Sequence, residues 1–218
     1  MNRFWQRFLA SLTPGVRVVL FLWLAGGLAA IIGQLFHLFD LHRWLDLSGP
    51  GFWHGQVWRL VTYALLPMGI MDLIMNSIAL VILGGMIERH WTRGQFWVYC
   101  LVAAAGAGLA KVLLQWTSPI ALSGATPLVF GLLIAWGFLS GREIIMLFFF
   151  GETTVCKLVL IAGAISFLTM FFTGGLIMAL IMAAGGVTGF IYLWLKHQWL
   201  MNRAGSVVPS ERIHRLEL

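Results

Sequence analysis

The sequence predicts an all-α membrane protein with several spans, and three observations carry that prediction. Of its 218 residues, 60% are hydrophobic and 10% charged, against about 25% charged in a soluble domain. Too little polar surface remains to cover a water-facing globule. The apolar residues fall in repeated runs of about 20, the length that crosses the hydrocarbon core as a helix. Lys and Arg gather in alternate loops, as in a chain threaded back and forth across a bilayer. The net charge of +6 therefore reads as topology rather than as a nucleic-acid footprint. Membrane lipid is the expected surrounding, and no nucleic acid, metal or cofactor is expected.

The elements follow in order. In residues 1–15, Phe4, Trp5, Phe8, Leu9 and Leu12 share one helical face away from Arg3 and Arg7, which predicts an amphipathic interfacial segment. Thr13-Pro14-Gly15 breaks it, and span 1 covers residues 16–39. Residues 40–60 mix Asp40, Arg43, Asp46 and Arg59 with Trp44, Phe52, Trp53 and Trp58, a composition suited to the headgroup region. Span 2 covers 67–87 and ends on a charged turn at Glu88-Arg89. Span 3 covers 96–115; its small residues 103–108 suit close helix packing, and Lys111 is expected to snorkel. Span 4 covers 123–139 and opens on Ser123-Gly124, where the serine reads either as a nucleophile or as a helix N-cap. Residues 144–152 are too short to span and read as an interfacial segment. Residues 158–195 carry no charge; Thr173-Gly174-Gly175 divides them into spans 5 (154–172) and 6 (176–195). Residues 197–218 read as a polar tail. Cys100 and Cys156, the two cysteines, have no metal or redox spacing and read as small buried hydrophobes.

This gives one membrane domain over 16–196. Nearly all the basic loop residues, from Arg3 and Arg17 through Arg89, Arg142 and Lys196 to Arg215, fall on one side. Arg43 and Arg59 fall on the other. Both termini are expected in the cytoplasm, and Ser123 near the opposite face.

Four features together resemble the rhomboid family of intramembrane serine proteases. Trp58-Arg59 lies in a long tryptophan-rich first loop. Asn76 sits in span 2, which closes on Gly84-Gly85-Met86-Ile87-Glu88-Arg89. Ser123-Gly124 opens span 4 with Gly131 further along it, and Gly185 and Gly189 form a GxxxG in span 6. The resemblance implies a six-helix bundle in an integral membrane location, a bacterial inner membrane being the expected one. It also implies that transmembrane helices of client proteins are the partners. Gly124, Gly131, Gly185 and Gly189 would allow close helix packing. Trp58 and Arg59 would fix the first loop through guanidinium bonds to backbone carbonyls, and Glu88 would tie the end of span 2 to its neighbours.

The family mechanism needs a serine, a histidine base on span 6 and oxyanion donors on span 2. Ser123 occupies the nucleophile position and Asn76 one oxyanion position. Met182 stands at the base position, three residues before Gly185, and Asp72 at the oxyanion-histidine position, four before Asn76. Pro67, Ala121 and Pro127 also depart from the family pattern. A thioether is no general base at neutral pH, and a serine hydroxyl needs one. An ionised Asp72 would repel an oxyanion. It reads as a base or a protonated donor, or as a group that faces a wet cavity, caps span 2 or pairs with Arg59. None of the six histidines falls inside spans 4 or 6, and His197, at the cytoplasmic end of span 6, is not expected to reach Ser123.

The leading expectation is a rhomboid-like pseudoprotease that binds transmembrane segments without cleaving them, as derlins and inactive rhomboids do. The alternative is a weakly active intramembrane serine endopeptidase using an unusual base. A small transporter or channel is a third class, disfavoured because charge away from the span ends is limited to Asp72 and Lys111.

Overall fold

The computed structural model describes residues 13–37, 40–147 and 151–206. The amphipathic segment expected over 1–15 lies almost wholly outside them, as does the tail beyond 206. Among the described residues, four helices are long and apolar enough to cross a membrane. These are α1 (Pro14–Leu35), α5 (Ile70–Glu88), α6 (Arg93–Leu114) and α8 (Val155–Ser206), whose apolar part is Val155–Trp199. A shorter apolar helix, α7 (Thr126–Ser140), has 15 residues. At 1.5 Å per residue it is only about 22 Å long. Between α1 and α5 the first loop folds into α2 (Leu41–Leu45), α3 (Gly49–Trp53), α4 (Arg59–Thr62) and a 3₁₀ turn, Tyr63–Leu65.

Each start has a local cause. Pro14 opens α1, where a missing N–H costs nothing. Asp40 caps α2 by accepting from Arg43 N at 3.3 Å, and Ser48 caps α3 by accepting from Gly51 N at 3.3 Å. Thr92 and Gln95 form a reciprocal capping box at the start of α6.

α7 is the hub. It packs along α8 and against both α5 and α6, while α1 lies against α5. Its Leu128, Gly131, Leu132, Ala135 and Trp136 are all buried. Gly131 and Gly185 permit this approach: a methyl on Gly185 would lie 2.8 Å from Pro127 O, and one on Gly131 would lie 3.0 Å from Ala103 Cβ. The long α8 is two arms meeting at Gly175, whose φ of 79° and ψ of 174° are essentially reserved for glycine. The first arm carries Leu160, Ile165, Leu168 and Phe172 on its exposed surface, as a lipid-facing helix does.

The structure departs from the sequence reading at five places. Residues 144–154 form a small antiparallel hairpin, β1 (Ile144–Leu147) with β2 (Gly151–Thr154), pairing Ile144 with Thr154, so the molecule is not entirely helical. α8 stays helical to Ser206 instead of ending near Leu195. α7 begins at Thr126, which leaves Ser123 in the preceding loop. Lys111 does not snorkel: it is fully buried and donates to Gln115 Oε1, one turn on. Cys156 is exposed, whereas Cys100 is buried as expected of a small hydrophobe.

Candidate active site

The site forms where the first loop meets the segment preceding α7. An isolated antiparallel bridge joins them: Leu47 N donates to Leu122 O at 3.1 Å, and Leu122 N to Leu47 O at 2.8 Å. Gly124 turns the chain at φ +102°, a value that favours glycine, and its N–H donates to Tyr63 O at 3.2 Å. Tyr63 is in turn held by its hydroxyl, which donates to Ala104 O at 2.9 Å. Ser123 is thereby fixed between two anchored residues.

Ser123 is not a helix cap. The N-cap position of α7 is Ala125, which offers no side-chain bond. Ser123 Oγ instead donates to Asp46 Oδ2 at 3.0 Å. Asp46 is 6% exposed. On its other side, His42 Nδ1 lies 3.0 and 3.2 Å from the two carboxylate oxygens, where the Nδ1–H tautomer donates to an ionised carboxylate. Burial pushes the Asp46 carboxyl above its usual 3.8, against the opposing pull of His42 and of the Ser123 hydrogen bond. Arg59 Nη1 donates to Asp46 O and Nη2 to Arg43 O, both at 2.7 Å. Thr62 Oγ1 donates to Leu45 O at 3.0 Å. The turn carrying Asp46 is therefore held by main-chain bonds that do not depend on its carboxylate. Trp58, beside Arg59, is exposed.

Asp72 lies on the other flank. A methyl on Gly124 would sit 3.2 Å from Asp72 Oδ2. Met68 N donates to Asp72 Oδ2 at 3.1 Å, so Asp72 caps the start of α5. Asn76 Nδ2 donates to Asp72 Oδ1 at 2.6 Å and meets Thr126 Oγ1 at 3.5 Å. Asp72 and Asn76 thus bond to one another. Among the described residues no ion pair joins Asp72 to Arg59.

Met182 is 1% exposed on the second arm of α8, one turn before Gly185. A methyl on Gly189, a turn further on, would lie 2.8 Å from Tyr99 Cζ, and Tyr99 Oη donates to Gly131 O. Glu88 accepts from Gly15 N and Val16 N, both at 2.8 Å, and from Thr13 Oγ1. It thus satisfies the first turn of α1 from the far end of α5.

Among the described residues no histidine hydrogen-bonds Ser123, and no three His, Cys, Asp or Glu side chains converge as a metal site. His42 is nonetheless one carboxylate away from the serine. Sequence reasoning missed Asp46 and His42. Their spacing of four was visible as a local pair, but nothing along the chain joins Asp46 to Ser123, 77 residues on.

Next to the site a cavity of about 140 Å³ opens among α1, the 3₁₀ turn, α5 and α6. Leu22, Trp23, Leu65, Cys100, Ala125 and Leu128 are among its walls. It is lined almost entirely by apolar side chains.

Comparison with known proteins agrees with this architecture. One curated relative, "Rhomboid protease GluP" of Bacillus subtilis (strain 168), is 34% identical over 79 residues. That match covers 36% of this chain and 15% of the relative, so the chain spans a small part of that protein. The Rhomboid domain family matches residues 54–199, well over half of the chain. Trp58, Arg59, Asp72, Asn76, Glu88, Ser123 and Met182 all fall within that match, and the chain belongs to the rhomboid family.

Proposed function

We propose that this rhomboid-family protein is a pseudoprotease: it binds transmembrane segments of client proteins and does not cleave them. The carrying observation is Met182, buried at 1% exposure on the helix arm from which the family's base would come. Losing the histidine of a serine–histidine pair costs on the order of 10⁶ in kcat. The oxyanion side supports the same reading, because Asn76 spends its amide on Asp72 and Thr126, and a carboxylate beside Gly124 opposes developing negative charge. The apolar cavity two and five residues past Ser123, at Ala125 and Leu128, suits apolar side chains of a client helix.

The proposal includes six crossings by α1, α5, α6, α7 and the two arms of α8, with both termini cytoplasmic. It also includes an interfacial segment over 1–15, a membrane domain over 16–196 and a cytoplasmic tail over 197–218. The charge asymmetry of the loops supports that orientation. The Bacillus relative supports a bacterial inner membrane.

The test reconstitutes the protein in liposomes with a fluorescent single-span peptide. Energy transfer should saturate with peptide, weaken in Leu22→Trp, which narrows the cavity at an exposed rim residue, and leave the peptide intact. A cleavage product that disappears in Ser123→Ala would sink the pseudoprotease reading.

A further inference from the structure

We propose that Ser123 remains a chemically reactive nucleophile whose proton acceptor is Asp46, with His42 as the positioning residue, and that its electrophiles are activated acyl and phosphonyl compounds. This does not rest on client binding. The acceptor comes from the first loop, at positions 42 and 46, outside residues 54–199 that match the family. It therefore replaces the lost base from a different element.

The geometry meets the requirements of nucleophilic activation. A nucleophile and its base must lie within hydrogen-bond reach, with the base oriented by a third group. Ser123 Oγ is 3.0 Å from Asp46 Oδ2 and is the donor in that contact. His42 grips both carboxylate oxygens from the far side. Arg59 holds the Asp46 main chain without occupying the carboxylate. Asp46 is thus a buried carboxylate whose hydrogen bonds come from one hydroxyl and one imidazole.

The step balances as follows. Ser123 Oγ forms a bond to the carbonyl carbon or phosphorus, and its proton passes to Asp46 Oδ2. The bond to the leaving group then breaks, and a thiolate, aryl oxide or fluoride departs with the electron pair. Such leaving groups need no proton. A peptide leaves as an amine and needs the proton back from Asp46, a second transfer that the other leaving groups do not require. Ser123 is therefore matched first to thioesters, aryl esters and phosphonyl fluorides, which need only the acceptance step.

Only ionised Asp46 accepts a proton. Burial raises its carboxyl above 3.8, so reactivity should rise with pH through that raised value and level off above it. The groups facing Asp46 are His42 on α2, Asp40 at the cap of α2, Ser123 from the segment before α7, and Arg59 from α4 at its main-chain oxygen. Asp72 lies beyond Gly124. Removing His42 takes away an interaction that favours the charged carboxylate, so the pH midpoint should move upward.

The experiment measures the rate of labelling by a fluorophosphonate probe across pH, on the full-length protein in detergent. Labelling is expected in the wild type and absent in Ser123→Ala. Asp46→Asn should slow it by about 10²-fold or more, the range of general-base catalysis. His42→Ala should shift the pH midpoint upward, and His42→Asn, which retains a donor, should shift it back. Folding is read in a Cys156→Ser background by the inertness of buried Cys100 to a thiol reagent. If Asp46→Asn fails that check, the His42 pH profiles decide. An unlabelled wild type, wild-type rates in folded Asp46→Asn, or an unmoved midpoint in His42→Ala would overturn the proposal. Labelling without peptide cleavage fits both proposals. Cleavage by Ser123 would overturn only the pseudoprotease reading.

Discussion

Replacing Glu88 with alanine should loosen α1 from the bundle, and the structure supplies the magnitude. Glu88 is 7% exposed and accepts from Gly15 N and Val16 N at 2.8 Å and from Thr13 Oγ1. These are first-turn donors that the helix itself cannot satisfy. Stranding a buried donor costs about 1–3 kcal/mol. Two stranded amides therefore predict a loss of roughly 2–6 kcal/mol for Glu88→Ala. Glu88→Gln keeps one acceptor oxygen but no charge and should lose about half as much, since bonds to charged groups are about twice as strong. The assay is unfolding in mixed micelles, read by exposure of Cys100 in a Cys156→Ser background. A methyl on Gly15 would lie 2.8 Å from both Glu88 carboxylate oxygens. Gly15→Ala should therefore destabilise the wild type and add little in the Glu88→Ala background, a non-additivity expected of direct contacts. Glu88→Ala within about 0.5 kcal/mol of wild type, the range of an uninvolved surface site, would show that water replaces the carboxylate and would refute the reasoning. Strict additivity with Gly15→Ala would refute the contact.

Two further predictions concern the packing and the site. Gly189→Ala should cost about 1–3 kcal/mol by overpacking, because its methyl would press on Tyr99, which is fully buried and bonded to Gly131 O; micellar unfolding checks it. Met182→His should restore little peptide cleavage. The Ser123 hydroxyl must first leave Asp46, at a cost of about 1.5–3 kcal/mol for a bond to a charged group, or roughly 10- to 150-fold in rate. Adding Asp46→Asn should recover up to that factor in a gel assay of a single-span substrate. Full cleavage by Met182→His alone would contradict the positions assigned to Asp46 and Asp72.

Much of the fold was legible because the bilayer imposes a local code. Runs of about 20 apolar residues mark α1, α5 and α6, and Gly174-Gly175 in an uncharged run marks the bend of α8. The methionine three residues before Gly185 was legible too, since finding Met182 needs only a count along the chain. The start of α7 was not. Ser123 looks like a cap by residue type, but the bridge from Leu47 to Leu122 keeps the segment extended, and the helix begins at Thr126. Lys111 was misread for a similar reason. Its long side chain suits snorkelling, but packing encloses it and Gln115 supplies an acceptor.

Composition, apolar run length and motif spacing are properties of neighbouring residues, so the sequence by itself determined the membrane class and the main spans. The environment of Ser123 is different in kind. Asp46 reaches it only because Arg59 pins the first loop, Leu47 pairs with Leu122, and Gly124 turns the chain against Tyr63. A hydrogen bond between loops 77 residues apart depends on how those loops dock. Only the tertiary structure decided that the serine faces a carboxylate backed by a histidine, because docking is set by contacts that leave no periodic trace along the chain.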